Sequence, residues 1–433
     1  MQECALSVFL LDIQSNPAIL FLFSRKNCSI WRKKVPFGED MKRVLVYHSY
    51  FSSWNGGGGL LPLSLIAELQ KTCEVTLALR DLSNVDVMAK MNGIPIDFSK
   101  LKLVRVMPEK RFLQDIDHNL RVFRTWKLKR LAKDADVCIS TANPVDFGKP
   151  GHHFIVFMNF WDSAFSDYLK HIPRPKGIAS FKRKIRSLLA EKILRPFLGI
   201  RTTRKLLSDP REHTYPNSQY VDSVMRGFYG PFTGTVFYPP TTFEVKLKDV
   251  KRNPLQINYI GRISKEKRIE DIINIVELAR TSSGLDLTLH IAGQMEDTPY
   301  AEKIKQVAME KLWIQLVGHV YGETKERFLL SGTYAVHARR DEEFGIAITE
   351  YLKAGCIPIV PDEGGPVEIL ESPALTYHAN EDAASILSNL LQDEDFRKEQ
   401  LSHCEERARV FSMDAYLENQ HRILDQILSE SNR

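Results

Sequence analysis

The chain has 433 residues and a net charge of +5 from 59 basic and 54 acidic side chains, and it is 43% hydrophobic and 26% charged. A soft prior of about three ordinary domains, or two large ones, follows from the length. The mixed composition excludes disorder, collagen-like sequence and a disulfide scaffold.

Six cysteines, Cys4, Cys28, Cys73, Cys138, Cys356 and Cys404, are scattered without zinc or redox spacing. They read as a reduced, cytoplasmic protein. The most apolar N-terminal stretch, residues 5–23, is broken by Asp12, Gln14, Asn16 and Pro17, so it is not expected to span a bilayer. The opening Met1-Gln2-Glu3 lacks the basic start of a secretory signal.

Residues 1–40 show no clear period, and the pattern changes at Met41. Either Met41 is the natural start and residues 1–40 an added extension, or residues 1–40 are a real extension that packs on the domain. Residues 44–48 form a short apolar run typical of a buried parallel strand. The glycines Gly56, Gly57, Gly58 and Gly59 follow, then an apolar helix pattern over residues 60–69. Strand, glycine loop and helix in that order open a Rossmann-like domain. Strand-like runs continue at 75–79, 101–106, 136–140 and 154–160, with a long amphipathic stretch over 111–131. This alternation predicts α/β with a mostly parallel sheet.

Between Lys170 and Lys205 twelve residues are basic and only Glu191 is acidic. The stretch carries +11, leaving the rest of the chain at −6. Phe181, Ile185, Leu188, Leu189 and Ile193 take the spacing of one helical face. The basic helix so predicted, with Lys182, Arg183, Lys184 and Arg186 at its centre, reads either as a membrane-surface element or as a solvated helix packed on its own domain. Nucleic acid is not expected, because no binding motif accompanies the charge.

A linker-like stretch over residues 238–254 precedes a second α/β series. Strands are predicted at 257–260, 287–291, 314–317, 334–337 and 357–360. Helices are predicted at 269–279, 300–311, 325–330 and 346–354, with a last amphipathic helix over 411–429. The domains read as 41–240 and 241–410, followed by 411–433 as a helix packing back toward the first.

Three local signals carry chemistry. In residues 342–355 two carboxylates, Glu342 and Glu350, are separated by seven residues, and Gly345 permits a tight turn into a helix whose amides face a ligand. From the residues alone this is either a hydroxyl-binding pair, with Glu350 suited to a ribose, or a solvated pair at a helix start. In residues 259–268, directly after a strand, Arg262 offers a planar fork for phosphate oxygens and Lys267 a point charge. Lys265 and Arg268 read as surface charges. A third strand, 357–360, ends at Gly364-Gly365 on the same sheet edge. The Asp115/Asp117 and Asp134/Asp136 pairs look like metal-binding doublets but are assigned as surface or strand-cap carboxylates.

From about Met41 to Gln426 the chain resembles the large glycosyltransferase group 1, or family 4, of retaining GT-B enzymes. The residues that carry the likeness are GRISKEK at 261–267, the paired-glutamate segment at 342–350, AGCIPIV at 354–360 and GGPVEIL at 364–370. NSQYV at 217–221, YPP at 238–240 and FSMDAYLENQHRIL at 411–424 match the end of that family's first domain and its closing helix. The resemblance implies an α/β GT-B fold, two Rossmann-like β/α/β domains facing across a cleft, with a nucleotide-sugar on the second.

It further implies that Arg262 and Lys267 bind the donor diphosphate and that Glu342 touches the sugar hydroxyls. The backbone of Gly261, Phe344, Gly345 and Ile346 lies near the donor, Glu350 holds the ribose, and Gly318, His319 and Val320 lie by the nucleobase. The glycines at 56–59 approach the phosphates from the first domain. Neither a cofactor nor a metal is expected beyond the nucleotide-diphosphate sugar, since Arg and Lys stand at the leaving group.

The expected reaction is retaining transfer of a hexose-type sugar to a glycan or lipid-linked acceptor. Polysaccharide biosynthesis is the expected setting, in the cytoplasm and peripheral to the inner face of the cell membrane. Three departures lie on the pattern's edges. Leu60 and Leu61 follow the glycines where the family often has a glutamate, and Arg268 stands where a glycine is common. Asn159, Trp161 and Asp162 occupy the place of a first-domain histidine, with His152 and His153 expected before the strand. The alternatives are a sugar-nucleotide-binding subunit without catalysis, or a GT-B phosphorylase or epimerase. A dehydrogenase is not expected, because the glycine run lacks the dinucleotide fingerprint.

Overall fold

The computed structural model describes residues 41–49, 51, 59–80, 84–107, 122–156, 158, 165, 195–295 and 298–430. Strand β1 (Lys42–His48) is buried on both faces, with Val44, Leu45 and Val46 at most 1% exposed. Such burial is the mark of a parallel sheet covered by helices on each side. Around β1 stand β2 (Cys73–Leu79), β3 (Lys102–Arg105), β4 (Val137–Ser140), β5 (His152–Ile155), β6 (His213–Pro216) and β7 (Thr233–Gly234), in the order β3-β2-β1-β4-β5-β6-β7. All these pairings are parallel. Helices α1 (Leu60–Leu69), α2 (Val85–Met91), α3 (Val122–Leu131) and α4 (Gln219–Tyr229) accompany them.

Residues 241–252 carry no regular structure and lead into a second parallel sheet. It comprises β8 (Asn253–Ile260), β9 (Thr288–Ala292), β10 (Ile314–Gly318), β11 (Gly332–Val336), β12 (Ile357–Pro361) and β13 (Thr376–Tyr377), in the order β10-β9-β8-β11-β12-β13. Its helices are α5 (Ile269–Ser283), α6 (Pro299–Glu310), α7 (Gly322–Ser331), α8 (Ile346–Lys353), α9 (Gly365–Leu370), α10 (Asn380–Gln392) and α11 (Glu394–Val410). In both sheets the first strand lies inside the sheet and the chain then runs outward in each direction. The places where the order reverses, β1/β4 and β8/β11, are the crevices where open α/β sheets bind ligands.

The last helix, α12 (Met413–Glu430), belongs to the first domain's core. Tyr416, Ile423, Leu424 and Ile427 are buried in one cluster with Val44, Val46, Leu65, Ile66 and Leu77. Ser64 and Gln420 exchange hydrogen bonds, and Lys42 donates to the Leu428 carbonyl. The chain thus returns from the second domain to close on the first. No helix among the described residues is long and apolar enough to cross a membrane.

Two differences from the sequence reading matter. Strand β5 starts at His152 and ends at Ile155, rather than spanning 154–160, so His152 and His153 lie within it. The reason is polar pairing: His153 is fully buried with Nε2 2.8 Å from Glu212, and the strand registers His152 against His213. Helices α10 and α11 have no counterpart among the predicted elements. Over its 17 residues α11 buries only Gln400 and Cys404, with Phe396, Leu401 and Ala408 partly buried beside them, so its apolar face is sparse and broken by charged residues.

Candidate functional site

Beside the β8/β11 switch point, the C-terminal ends of β8, β9 and β10 are packed backbone against backbone. Gly261 N–H donates to the Ala292 carbonyl at 2.9 Å, and Gly293 N–H to the Gly318 carbonyl at 2.8 Å. Past β11 the chain runs through His337, Arg339, Glu342 and Glu343 to Gly345, whose φ of 103° turns it into α8. That left-handed value favours glycine, and a side chain there would crowd Pro366 and Ile348. The Gly364-Gly365 turn closes from the next strand. A Cβ on Gly365 would come within 2.6 Å of the Glu343 carbonyl.

Glu342 is the centre of this loop. Lys267, from the turn after β8, donates to its carboxylate, with both side chains largely shielded. His337 Nε2 lies 3.5 Å away and Arg339 Nη1 3.7 Å. Burial alone would raise the Glu342 carboxyl. The Lys267 ammonium, then His337 and Arg339, outweigh it and hold the group well below the usual carboxylate range. Burial pushes the His337 imidazole down, against the pull of Glu342. Arg339 also donates to Asp341 at 3.1 Å.

Glu343, the next residue, points to the other domain. Its carboxylate accepts the Met158 backbone N–H at 2.9 Å, and its carbonyl accepts the Ser218 hydroxyl. Burial lifts its carboxyl to about 7; the Met158 N–H and Arg339 oppose the rise and Glu342 adds to it. Glu368 makes a parallel link, accepting Gln219 N–H at 2.9 Å, Tyr220 N–H at 3.4 Å and the Tyr238 hydroxyl at 3.0 Å. The C-terminal ends of β5 and β6 therefore meet those of β11 and β12.

Glu350 lies in the second turn of α8 with its side chain 10% exposed, and Lys325 of α7 donates to it at 2.5 Å. That contact ties α8 to the segment that follows β10. Gly318 ends β10, and His319 and Tyr321 are exposed, their ring centroids 5.9 Å apart. Phe344 is 3% exposed and packs against Tyr238 and Phe411, so only its backbone can face a ligand. Ile346 opens α8, whose first-turn amides point out of the helix N-terminus.

The structure thus gathers Lys267 and Glu342 and brings Glu350 onto the adjoining helix. Arg262 is not in that cluster. Its guanidinium is half exposed and donates to Glu266 at 2.7 Å. Arg268 has a φ of 52°, which accounts for the glycine expected at its position. Asp136 accepts the Arg43 backbone N–H at 2.8 Å and its guanidinium at 2.9 Å. Gly59 caps α1. Gly56, Gly57, Gly58, Asn159, Trp161, Asp162, Lys182, Arg183, Lys184, Arg186, Asp115 and Asp117 lie outside the described residues.

The sequence reading passed over His337, Arg339, Glu343, Lys325 and Glu368. Two signals were available for them. His337 ends a predicted strand of the second sheet and Arg339 lies two residues past it, and Glu368 sits inside the GGPVEIL motif. On the first domain, His48 ends β1 at the other switch point, buried, with Nδ1 3.1 Å from the Thr141 hydroxyl.

Residues 242–411 match the family described as Glycosyl transferases group 1. A GDP-Man:Man(3)GlcNAc(2)-PP-Dol alpha-1,2-mannosyltransferase of Candida glabrata is 27% identical over 168 residues, 35% of this chain and 33% of that protein. The namesake in Kluyveromyces lactis is 30% identical over 149 residues, 30% of this chain and 26% of that protein. The match thus spans about a third or less of these curated relatives.

Among solved structures, Anabaena Alr3699/HepE in complex with UDP and glucose superposes with a TM-score of 0.60 at 12% identity, covering 90% of this chain and all of that one. WaaG, a glycosyltransferase involved in lipopolysaccharide biosynthesis, superposes at 0.58 with 10% identity, covering 89% and 99%. The chain has the GT-B fold of two Rossmann-like domains. Its second domain is the part that matches the group 1 glycosyltransferases.

Proposed function

We propose that the protein is a glycosyltransferase. It moves a hexose from a nucleotide-diphosphate sugar, held on the second domain, to a glycan or lipid-linked acceptor presented by the first. The observation that supports this reading is the Lys267–Glu342 pair, with Arg339 beside it, at the β8/β11 switch point inside the segment that matches the family.

In this reading the diphosphate draws Lys267 off Glu342 and takes a second charge from Arg262, which swings from Glu266. Glu342, released, accepts from the sugar hydroxyls, and Glu350 accepts from the ribose. The segment at Gly318–Val320 borders the base. Transfer breaks the bond between the anomeric carbon and the diphosphate oxygen and forms one to the acceptor oxygen on the same face. The acceptor proton passes to the leaving phosphate oxygen. Fixed charges at the leaving group then supply the main stabilisation, without a metal.

The relatives' names make GDP-mannose the first donor to test and a lipid-linked glycan the first acceptor. The +11 stretch from Lys170 to Lys205 favours an acceptor at an anionic cytoplasmic membrane surface, where each well-placed basic residue contributes ~1 kcal/mol.

The test begins with thermal unfolding in GDP, UDP and ADP, since a ligand of the folded state raises its stability. One nucleotide should stand out. Incubation with the matching sugar donor and NMR of the anomeric proton should then show product with the donor's configuration. A protein stabilised by none of the three, or a product of inverted configuration, would refute the proposal.

A further inference from the structure

The strongest unassigned cluster lies at the other edge of the first sheet. β5 and β6 are parallel and begin with His152 and His213, so these residues sit at the N-terminal ends. The junction with the second domain is at the opposite, C-terminal ends. The two histidines are register partners with ring centroids 5.2 Å apart, and Glu430, in the last turn of α12, reaches them. One ligand atom from each of His152, His213 and Glu430 lies within 4.8 Å of the others.

We propose that His152, His213 and Glu430 form a binding site for a transition-metal dication of the Zn2+ type, which clamps the end of α12 to the first sheet. His213 Nε2 and Glu430 Oε2 are 3.5 Å apart. That is near the ~3.3 Å edge of a tetrahedron built on ligand bonds of ~2.0–2.1 Å. His152 Nδ1 sits 3.2 Å from the buried Tyr215 hydroxyl, which orients the ring as outer partners of metal-bound histidines do. Imidazole and carboxylate are the ligand types that suit zinc, and three of them leave a fourth position for water.

The cluster is placed for uptake by its geometry. Every proposed ligand atom already lies on one side of the sheet edge, so no strand has to move to close the site. Glu430 is a third exposed and opens the cluster to solvent. The groups facing the cluster also include Arg422, whose guanidinium donates to Asn419 at 2.7 Å and whose charge is felt at Tyr215.

The test uses the full chain, stripped with chelator and desalted. Calorimetric titration with Zn2+ should show one equivalent bound and a raised melting temperature. Co2+ should give the intense visible bands of a tetrahedral site. Glu430→Gln, at a partly exposed position that keeps the fold, and His213→Gln should each weaken Zn2+ binding by more than the ~10- to 100-fold typical of losing an outer partner. His378→Gln, which removes an exposed histidine–aspartate pair elsewhere, should leave it unchanged. Failure of the wild-type chain to bind Zn2+ would overturn the proposal. So would equal binding by the Glu430 and His213 variants, or loss of binding in the His378 variant instead. None of these readouts depends on transferase activity.

Discussion

Glu343 accepts the backbone N–H of Met158, 185 residues earlier in the chain, and so holds the end of β5 against the loop that opens α8. The carboxylate is buried at this junction and its proton is retained up to about pH 7. In the unfolded chain the same group ionises near 4.5. Between those values the unfolded state has lost a proton that the folded state keeps. Stability therefore falls as pH rises from about 4.5 to about 7, by roughly 3 kcal/mol for this group. Glu343→Gln keeps an acceptor for Met158 and removes the titration. Its melting temperature should match the wild type near pH 4.5 and exceed it at pH 8. Unfolding curves with the same pH slope in both proteins would refute this assignment.

Lys267 and Glu342 pose the opposite case. The Glu342 carboxyl is held below its ordinary value, so its contribution is present above about 4.5 and is lost as pH falls through the folded value. Lys267→Ala leaves a shielded carboxylate with only Arg339 and a neutral His337 beside it. Breaking a buried pair from one side costs about 3–5 kcal/mol. Adding Glu342→Gln should recover much of that loss. Urea unfolding of the two single variants and the double variant measures the coupling, and additive losses would show that the pair is not coupled.

Arg262 separates structure from chemistry. Its exposed pair with Glu266 is of the kind worth at most about 1 kcal/mol, so Arg262→Ala should unfold within ~0.5 kcal/mol of the wild type. Turnover of the nucleotide-sugar should nevertheless fall by about 100- to 1000-fold, the loss typical of one preorganised contact at a developing charge. A variant with full turnover would remove Arg262 from the diphosphate.

The second domain was readable because its motifs are continuous in sequence and each sits where a strand meets a turn. Gly261 to Lys267 and Glu342 to Glu350 needed only local spacing to be placed. Glu343 was hidden by its neighbour, because its partner Met158 comes from another domain and no spacing records that contact. Lys325 looks like one more charge on an amphipathic helix until the fold brings its ammonium to Glu350 of α8. The pairing of His152 with His213 depends on the register of β5 and β6, and reading the strand as 154–160 placed His152 outside the sheet altogether. Helix α11 carries only a sparse apolar face, Phe396, Leu401, Cys404 and Ala408, among many charged residues.

Lys325 and Glu350 give a test of nucleotide recognition. With its carboxylate held by Lys325 and 10% exposed, Glu350 has one oxygen oriented and the other free to accept from a diol. A hydrogen bond to a charged group contributes about 1.5–3 kcal/mol, so Glu350→Ala should weaken the preferred nucleoside diphosphate by about 10- to 100-fold. The wild type should lose a similar factor with the 2′-deoxy nucleotide, and the variant should bind both forms alike. Lys325→Met should retain the distinction but weaken it, because Glu350 then loses the contact that fixes its rotamer. Calorimetric titration of the three proteins with both nucleotides checks this. If Glu350→Ala still discriminates between ribose and deoxyribose as the wild type does, Glu350 does not hold the sugar of the nucleotide.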